Sequence, residues 1–202
     1  MSKPKVFITR RIPDAGLKML YEECEVDLWD EDLPPSKEQL LEHVPGVDGI
    51  VSLLSDPIDA EVIQAAGENL KVISNYAVGF NNIDVQTATQ RKIAVGNTPG
   101  VLTDATADFA VALMMSAGRR VVEAEKYARE GKWKTWGPSI LLGVDFAGAT
   151  LGIIGFGRIG KAMARRALGF GMRILIYTPT AQPPAGVINV NLEPLYPASD
   201  FI

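Results

Sequence analysis

The chain has 202 residues, 47% of them hydrophobic and 22% charged, with a formal net charge of −4 and a pI near 5.1. That is an ordinary soluble globular composition, long enough for one large domain or two small ones. The mild acidic excess argues against nucleic-acid binding, which needs a basic footprint to neutralise phosphates. The single Cys24 rules out an internal disulfide and suits a reducing compartment.

The N-terminal "MSKPKVFITRR" is charged and lacks the apolar core of a signal peptide. Five strand candidates follow in the first hundred residues: Lys5 to Thr9, Cys24 to Trp29, Asp48 to Leu54, Leu70 to Ala77 and Ile93 to Asn97. They are rich in β-branched residues and several are nearly continuous apolar runs, as in strands buried on both faces of a parallel sheet. Helical patterns lie between them at Asp14 to Glu22, Ser36 to His43, Asp59 to Ala66 and Asp84 to Gln90, with Ser36, Asp59 and Asp84 as N-caps. Strand–helix alternation at this spacing predicts an open α/β sheet.

"NTPGVLTD" (Asn97 to Asp104) is a turn-rich crossing. It leads into the longest helical pattern, Asp104 to Glu130, with Gly131 placed to end it. "FAVALMMSA" is apolar nearly all round, so this helix is expected to be buried on more than one side. It reads either as a central core helix or as one that packs against a second subunit. The run Phe109 to Gly118 is too short to span a membrane and is flanked by Asp108 and Arg119; the expectation is a cytoplasmic protein that binds no membrane. Trp133 to Ala149 has no clean period and exposes aromatics, as interfaces do.

"TLGIIGFG" then starts a fresh strand. Gly155-Phe156-Gly157-Arg158-Ile159-Gly160 is GxGxxG, set between an apolar strand, Leu151 to Ile154, and a helix, Lys161 to Leu168, with a second strand at Arg173 to Tyr177. In that context the motif predicts a dinucleotide site. Gly155 permits the tight turn, Gly157 lets the backbone approach a pyrophosphate, and Gly160 allows close helix–strand packing. The N–H groups around Arg158 and Ile159 face the anion at the positive end of the helix. The residue ending the second strand selects the nucleotide: an acid binds the ribose 2′-OH and a nearby Arg accepts a 2′-phosphate. Here it is Thr178, with no Lys or Arg after Arg173, so NAD and NADP both stay open.

Taken together, "VFITRRIP" (Val6 to Pro13), "YAVGFNNID" (Tyr76 to Asp84), "NTPGVLTDATAD" (Asn97 to Asp108), "LGIIGFGRIG" (Leu151 to Gly160) and "SDFI" (Ser199 to Ile202) resemble the D-isomer-specific 2-hydroxyacid dehydrogenases, most closely their glyoxylate/hydroxypyruvate reductases. The likeness runs in order along essentially the whole chain. It implies an α/β fold: a flavodoxin-like substrate-binding domain over residues 1–99, lacking its C-terminal return segment, then an incomplete Rossmann domain, a doubly wound parallel sheet, over 100–202. The long helix and arm, about 104–149, would join two subunits, so a homodimer is implied when the protein is complete.

The reaction implied is hydride transfer between NAD(P)H and a small 2-oxo acid. By resemblance, the N–H groups of Val78 and Gly79 hold the substrate carboxylate, Leu53 lines the substrate, and Thr106 contacts the cofactor. Without the resemblance, "YAVG" reads as a strand-end turn, Leu53 as a core leucine and Thr106 as a first-turn threonine. The family's catalytic Arg, Glu and His all follow its "SDFI" strand, so no catalytic residue is expected among these 202, and the chain alone is expected not to turn over. The one histidine, His43, ends a surface helix. A non-catalytic binding protein of the same fold, like the corepressors that resemble this family, is the alternative. Five prolines stand between Thr178 and Ser199, and of these Pro197 is expected to end a short helix, Leu192 to Ala198, early.

Overall fold

The computed structural model describes residues 2–179 and 182–202. The chain divides into two compact units, Met1–Gly100 and Val101–Ile202.

The first unit alternates strand and helix throughout: β1 (Lys5–Ile8), α1 (Asp14–Glu23), β2 (Glu25–Leu28), α2 (Lys37–His43), β3 (Gly49–Ser52), α3 (Ala60–Ala65), β4 (Val72–Asn75), α4 (Val85–Gln90) and β5 (Ala94–Gly96). The strands are all parallel, in the order β2-β1-β3-β4-β5, the flavodoxin-like doubly wound arrangement. One face carries the main core. Phe7, Ile50 and Ile73 from β1, β3 and β4 meet Leu40, Val62, Ile63 and Ala88 from α2, α3 and α4. On the other face α1 contributes Leu17 and Leu20, which pack against Val6, Ile8 and Val26.

The predicted caps are in place. Ser36 forms a reciprocal capping box with Gln39. Asp59 accepts from the Val62 N–H at 3.1 Å, and Asp84 from the Thr87 N–H at 2.9 Å. Each satisfies a helix N–H that would otherwise lack a partner.

The second unit comprises α5 (Thr103–Gly118), α6 (Val121–Arg129), β6 (Thr150–Ile154), α7 (Arg158–Gly169), β7 (Arg173–Tyr177), β8 (Val187–Asn189) and α8 (Leu192–Ala198). Its strands are parallel in the order β6-β7-β8, and a parallel bridge from Leu151 to Phe201 opens the far side of β6. From one edge to the other, β8, β7, β6 and Phe201 follow the third-second-first-fourth order of a Rossmann sheet.

Three expectations need correction here. The helix predicted over Asp104 to Glu130 is two helices, because Arg120 takes a left-handed conformation (φ 54°). The Gly118 carbonyl is captured instead by the Val144 N–H at 2.8 Å, so the arm returning to this point ends α5. Nor is α5 buried on several sides: only Ala107 is buried, while Phe109 and Leu113 are 65% and 55% exposed. Finally, Pro197 does not shorten α8. The helix runs through it to Ala198, since only the last turn is affected and the Ser199 hydroxyl takes the Leu195 carbonyl at 2.7 Å.

Among the described residues no helix is long and apolar enough to cross a membrane.

Candidate functional site

In an open α/β sheet, ligands meet the loops beyond the carboxyl ends of the strands. In the first unit those loops are knitted by buried polar side chains. Thr9, Ser52, Asp56 and Asn75 are each fully buried. Asp56, just beyond β3, accepts from the Thr9 hydroxyl, from the Leu53 N–H at 2.7 Å and from the Ser55 hydroxyl at 3.0 Å. A carboxylate buried this deeply needs such donors. Leu53 is thus fixed at both its backbone groups, since its carbonyl accepts from Asn82 Nδ2 at 3.0 Å. Its side chain is half-buried and lies outside the hydrophobic clusters of the sheet.

The "YAVG" loop leaves β4 at Asn75. Its carbonyls are held from behind. Asn75 Nδ2 donates to Gly79 O at 2.8 Å, Asn97 Nδ2 to Val78 O at 2.7 Å, and the Thr98 N–H to Ala77 O at 2.8 Å. The N–H groups of Val78 and Gly79 meet no protein acceptor among the described residues, and Gly79 is exposed. Two adjacent amides with their carbonyls tied back leave a pair of free donors, suited to a carboxylate. The loop closes on Asp84, whose carboxyl is held below the usual carboxylate range by the Thr87 N–H and hydroxyl.

In the second unit each glycine of the motif meets a distinct physical demand. Gly155 has φ 93°, a region L side chains rarely adopt. Its N–H donates to Tyr177 O at 2.9 Å, which locks the turn to β7. A Cβ on Gly160 would collide with the Gly155 carbonyl, whereas one on Gly157 would meet nothing within 4 Å. Gly157 therefore fronts open space at the start of α7. The helix begins at Arg158, three residues earlier than the predicted Lys161. Its first internal bond is Lys161 N–H to Gly157 O at 3.0 Å, so the amides of Arg158, Ile159 and Gly160 remain available at its positive end. This loop fits a dinucleotide pyrophosphate.

Thr178 follows β7 directly; it is only 8% exposed, and its backbone N–H and C=O are both paired with the Asn189 amide at 3.3 Å. Thr106 stands exposed near the start of α5. The polar contacts of that turn run from Asp104 and Asp108 to Arg166 on α7, whose guanidinium they hold above its ordinary range. Leu53 follows β3, and Val78 and Gly79 follow β4, so all three stand beyond the carboxyl ends of two neighbouring strands of the first sheet, while the glycine motif stands between β6 and α7 of the second unit. His43 is engaged elsewhere: Nδ1 lies 2.7 Å from Asp27, and the ring stacks on Phe7 at 5.0 Å. Among the described residues no cluster of metal-ligating side chains forms.

Sequence reasoning missed Thr9, Asp56, Asn75, Asn82 and Asn97. The available signal was a run of amide and hydroxyl side chains at strand ends, where apolar residues would otherwise continue.

Comparison with known proteins agrees with this geometry. The pattern of the "D-isomer specific 2-hydroxyacid dehydrogenase, catalytic domain" matches residues 6–191. A glyoxylate reductase of Korarchaeum cryptofilum is 56% identical, with 99% of this chain and 61% of that protein covered. One from Thermococcus litoralis is 50% identical, with 99% and 62% covered. A crystal structure of a Thermus thermophilus protein superposes with a TM-score of 0.91 at 45% identity, covering 97% of this chain and 62% of that one. The chain thus spans about three-fifths of the length of the relatives it matches.

Proposed function

Because the chain belongs to the D-isomer specific 2-hydroxyacid dehydrogenase family, we propose that it carries the dinucleotide-binding and carboxylate-holding parts of an NAD(P)-dependent reductase of small 2-oxo acids, such as glyoxylate or hydroxypyruvate. The observation that carries this reading is the glycine motif, in which Gly155, Gly157 and Gly160 each stand where a pyrophosphate site demands glycine. When bound, the nicotinamide supplies the hydride for C2 of the oxo acid.

The chain's own residues bind and orient. The amides of Arg158, Ile159 and Gly160 receive the pyrophosphate. Those of Val78 and Gly79 receive the substrate carboxylate, with Leu53 beside it. Thr106 is assigned to the cofactor on the resemblance alone, and Thr178 on its place after the second strand of the glycine-motif unit. Thr178 offers neither the acid that favours NAD nor the cation that favours NADP, so the nucleotide stays undecided. The domain division near residue 100, a homodimer through α5, α6 and the arm after them, and a cytoplasmic location belong to the same proposal. Phe109, Leu113, Trp133 and Trp136, all more than half exposed, support the dimer.

The reduction also needs an acid within hydrogen-bond reach of the developing alkoxide. The chain's one imidazole, His43, is paired with Asp27 and stacked on Phe7. The Arg, Glu and His expected from the family are therefore assigned to sequence outside these 202 residues. That same observation favours the second reading, a non-catalytic nucleotide-binding protein of this fold. Titration with NADH, followed by nucleotide fluorescence, tests the first reading: saturable binding abolished by Gly157→Ala supports it, and no binding overturns it. Restoration of glyoxylate-dependent NADH oxidation on extending the chain with the remaining two-fifths of a relative would decide against the second.

A further inference from the structure

The two loops assigned to the substrate are linked by backbone bonds at Ile58 and, nearer the proposed site, by the side-chain amides of Asn75 and Asn82. Asn75 Nδ2 lies 3.1 Å from Asn82 Oδ1, and Asn82 Nδ2 lies 3.3 Å from Asn75 Oδ1. Asn75 Nδ2 donates to Asn82 Oδ1; the longer return approach is a third contact of an Asn82 NH2 group that has only two hydrogens. The orientation of the two amides is dictated by neighbours that can only accept: Gly79 O on the Asn75 side, at 2.8 Å, and Leu53 O and Asp56 O on the Asn82 side, both at 3.0 Å. The Ser52 hydroxyl, fully buried, completes Asn75 by donating to its Oδ1 at 2.9 Å. Through this pair, Leu53 on one loop is linked by three successive hydrogen bonds to Gly79 on the other.

We propose that Asn82 is a positioning residue for the 2-oxo acid. It ties the Leu53 loop to the Val78–Gly79 loop, so that the apolar wall and the carboxylate-holding amides keep one spacing. The proposal rests on the reading of Val78 and Gly79 as carboxylate donors. Asn82 itself touches no substrate in this scheme. Its backbone carbonyl is already committed, accepting from the Ile58 N–H at 2.9 Å. Only the side chain is free to do the coupling, and it gives both its hydrogens to carbonyls that hold the loop after β3. Removing it leaves Leu53 O and Asp56 O without that donor and frees Asn75 to turn, so Gly79 O loses its fixed partner. A small rigid acid has few contacts, so its binding is sensitive to where two amides point.

The test is an amide-resolved titration of the isotopically labelled chain with glyoxylate, alongside NADH binding and thermal unfolding. The expected result is saturable movement of the Val78 and Gly79 amide resonances. In Asn82→Ala the glyoxylate dissociation constant rises about tenfold, the size of one or two lost hydrogen bonds, with NADH affinity unchanged. Asn82→Asp keeps the shape and turns a donor into an acceptor facing two carbonyls, so it is expected to bind no better than Asn82→Ala. Unchanged glyoxylate affinity in both variants, with the wild-type amides still responding, overturns the positioning role and leaves the carboxylate reading intact. Wild-type amides that ignore glyoxylate overturn both. If neither variant folds, Ser52→Ala removes only one bond to Asn75; a roughly threefold weaker affinity supports the role, and unchanged affinity overturns it.

Discussion

At the residue scale, the two glycines flanking the start of α7 separate folding from binding. Gly160 faces the Gly155 carbonyl so closely that a methyl group has nowhere to go, and both partners are backbone. Gly160→Ala is therefore expected to destabilise the chain by about 1–3 kcal/mol, the usual size of an overpacking strain, read as a lower midpoint in thermal unfolding. Gly157 has φ −77° and open space before it. Gly157→Ala should leave stability within about 0.5 kcal/mol and lower NADH affinity at least about tenfold, because the new methyl occupies the approach to the pyrophosphate. Thermal unfolding and nucleotide titration on the two variants should show opposite effects. The distinction was legible beforehand, because GxGxxG assigns each glycine its own geometric task. The amide pair of Asn75 and Asn82 was not, because nothing in "SNYAVGFNN" says which asparagines turn inward. Their meaning comes from Leu53 and Asp56, more than twenty residues away in sequence.

At the element scale, local signals placed the ends of most helices, and long-range contacts placed the rest. Asp59 and Asp84 cap α3 and α4 where a short polar residue precedes an apolar period. The Asp84 carboxyl is held low by the Thr87 N–H and hydroxyl. A group with a lowered folded-state pKa contributes stability above its unfolded value and loses it as pH falls through the folded value. Asp84→Ala is thus expected to be less stable than wild type at neutral pH. The gap should close as pH falls below about 4, in acid unfolding curves of the two proteins. Lys92, past the end of α4, takes φ 59° on an exposed backbone. Lys92→Gly removes that strain and should raise stability by about 0.5–1 kcal/mol, measured as a higher urea midpoint. The break between α5 and α6 had no such local warning. Gly118 lies inside the single helix expected over Asp104 to Glu130. In the fold, a Cβ there would press on Phe146 and Phe201 at 2.9 Å, two rings that stack at 4.9 Å. The aromatic pair and the returning arm end α5, and both come from distant sequence.

At the scale of the whole molecule, the proposed function divides one reaction between the two sheets. Strand–helix alternation made both sheets readable, although the burial expected on both faces fails at β4, where Val72 and Ser74 are exposed and only Ile73 and Asn75 are buried. Each unit has its own hydrophobic core, one built around Phe7, Ile50 and Ile73 and the other around Leu151, Ile174 and Ile176. The nucleotide loop hangs on the second core and the carboxylate loop on the first, so damage to one should spare the other. Gly157→Ala is expected to lose NADH binding while the Val78 and Gly79 amides still respond to glyoxylate, and Asn82→Ala should weaken glyoxylate binding about tenfold with NADH affinity unchanged. With no imidazole free of Asp27 to donate a proton, the 202-residue chain should bind both ligands and show no glyoxylate-dependent NADH oxidation above a no-protein control. Turnover by this chain would mean that a proton reaches the alkoxide from another of its groups or from water, and the division of labour drawn from His43 would have to be abandoned.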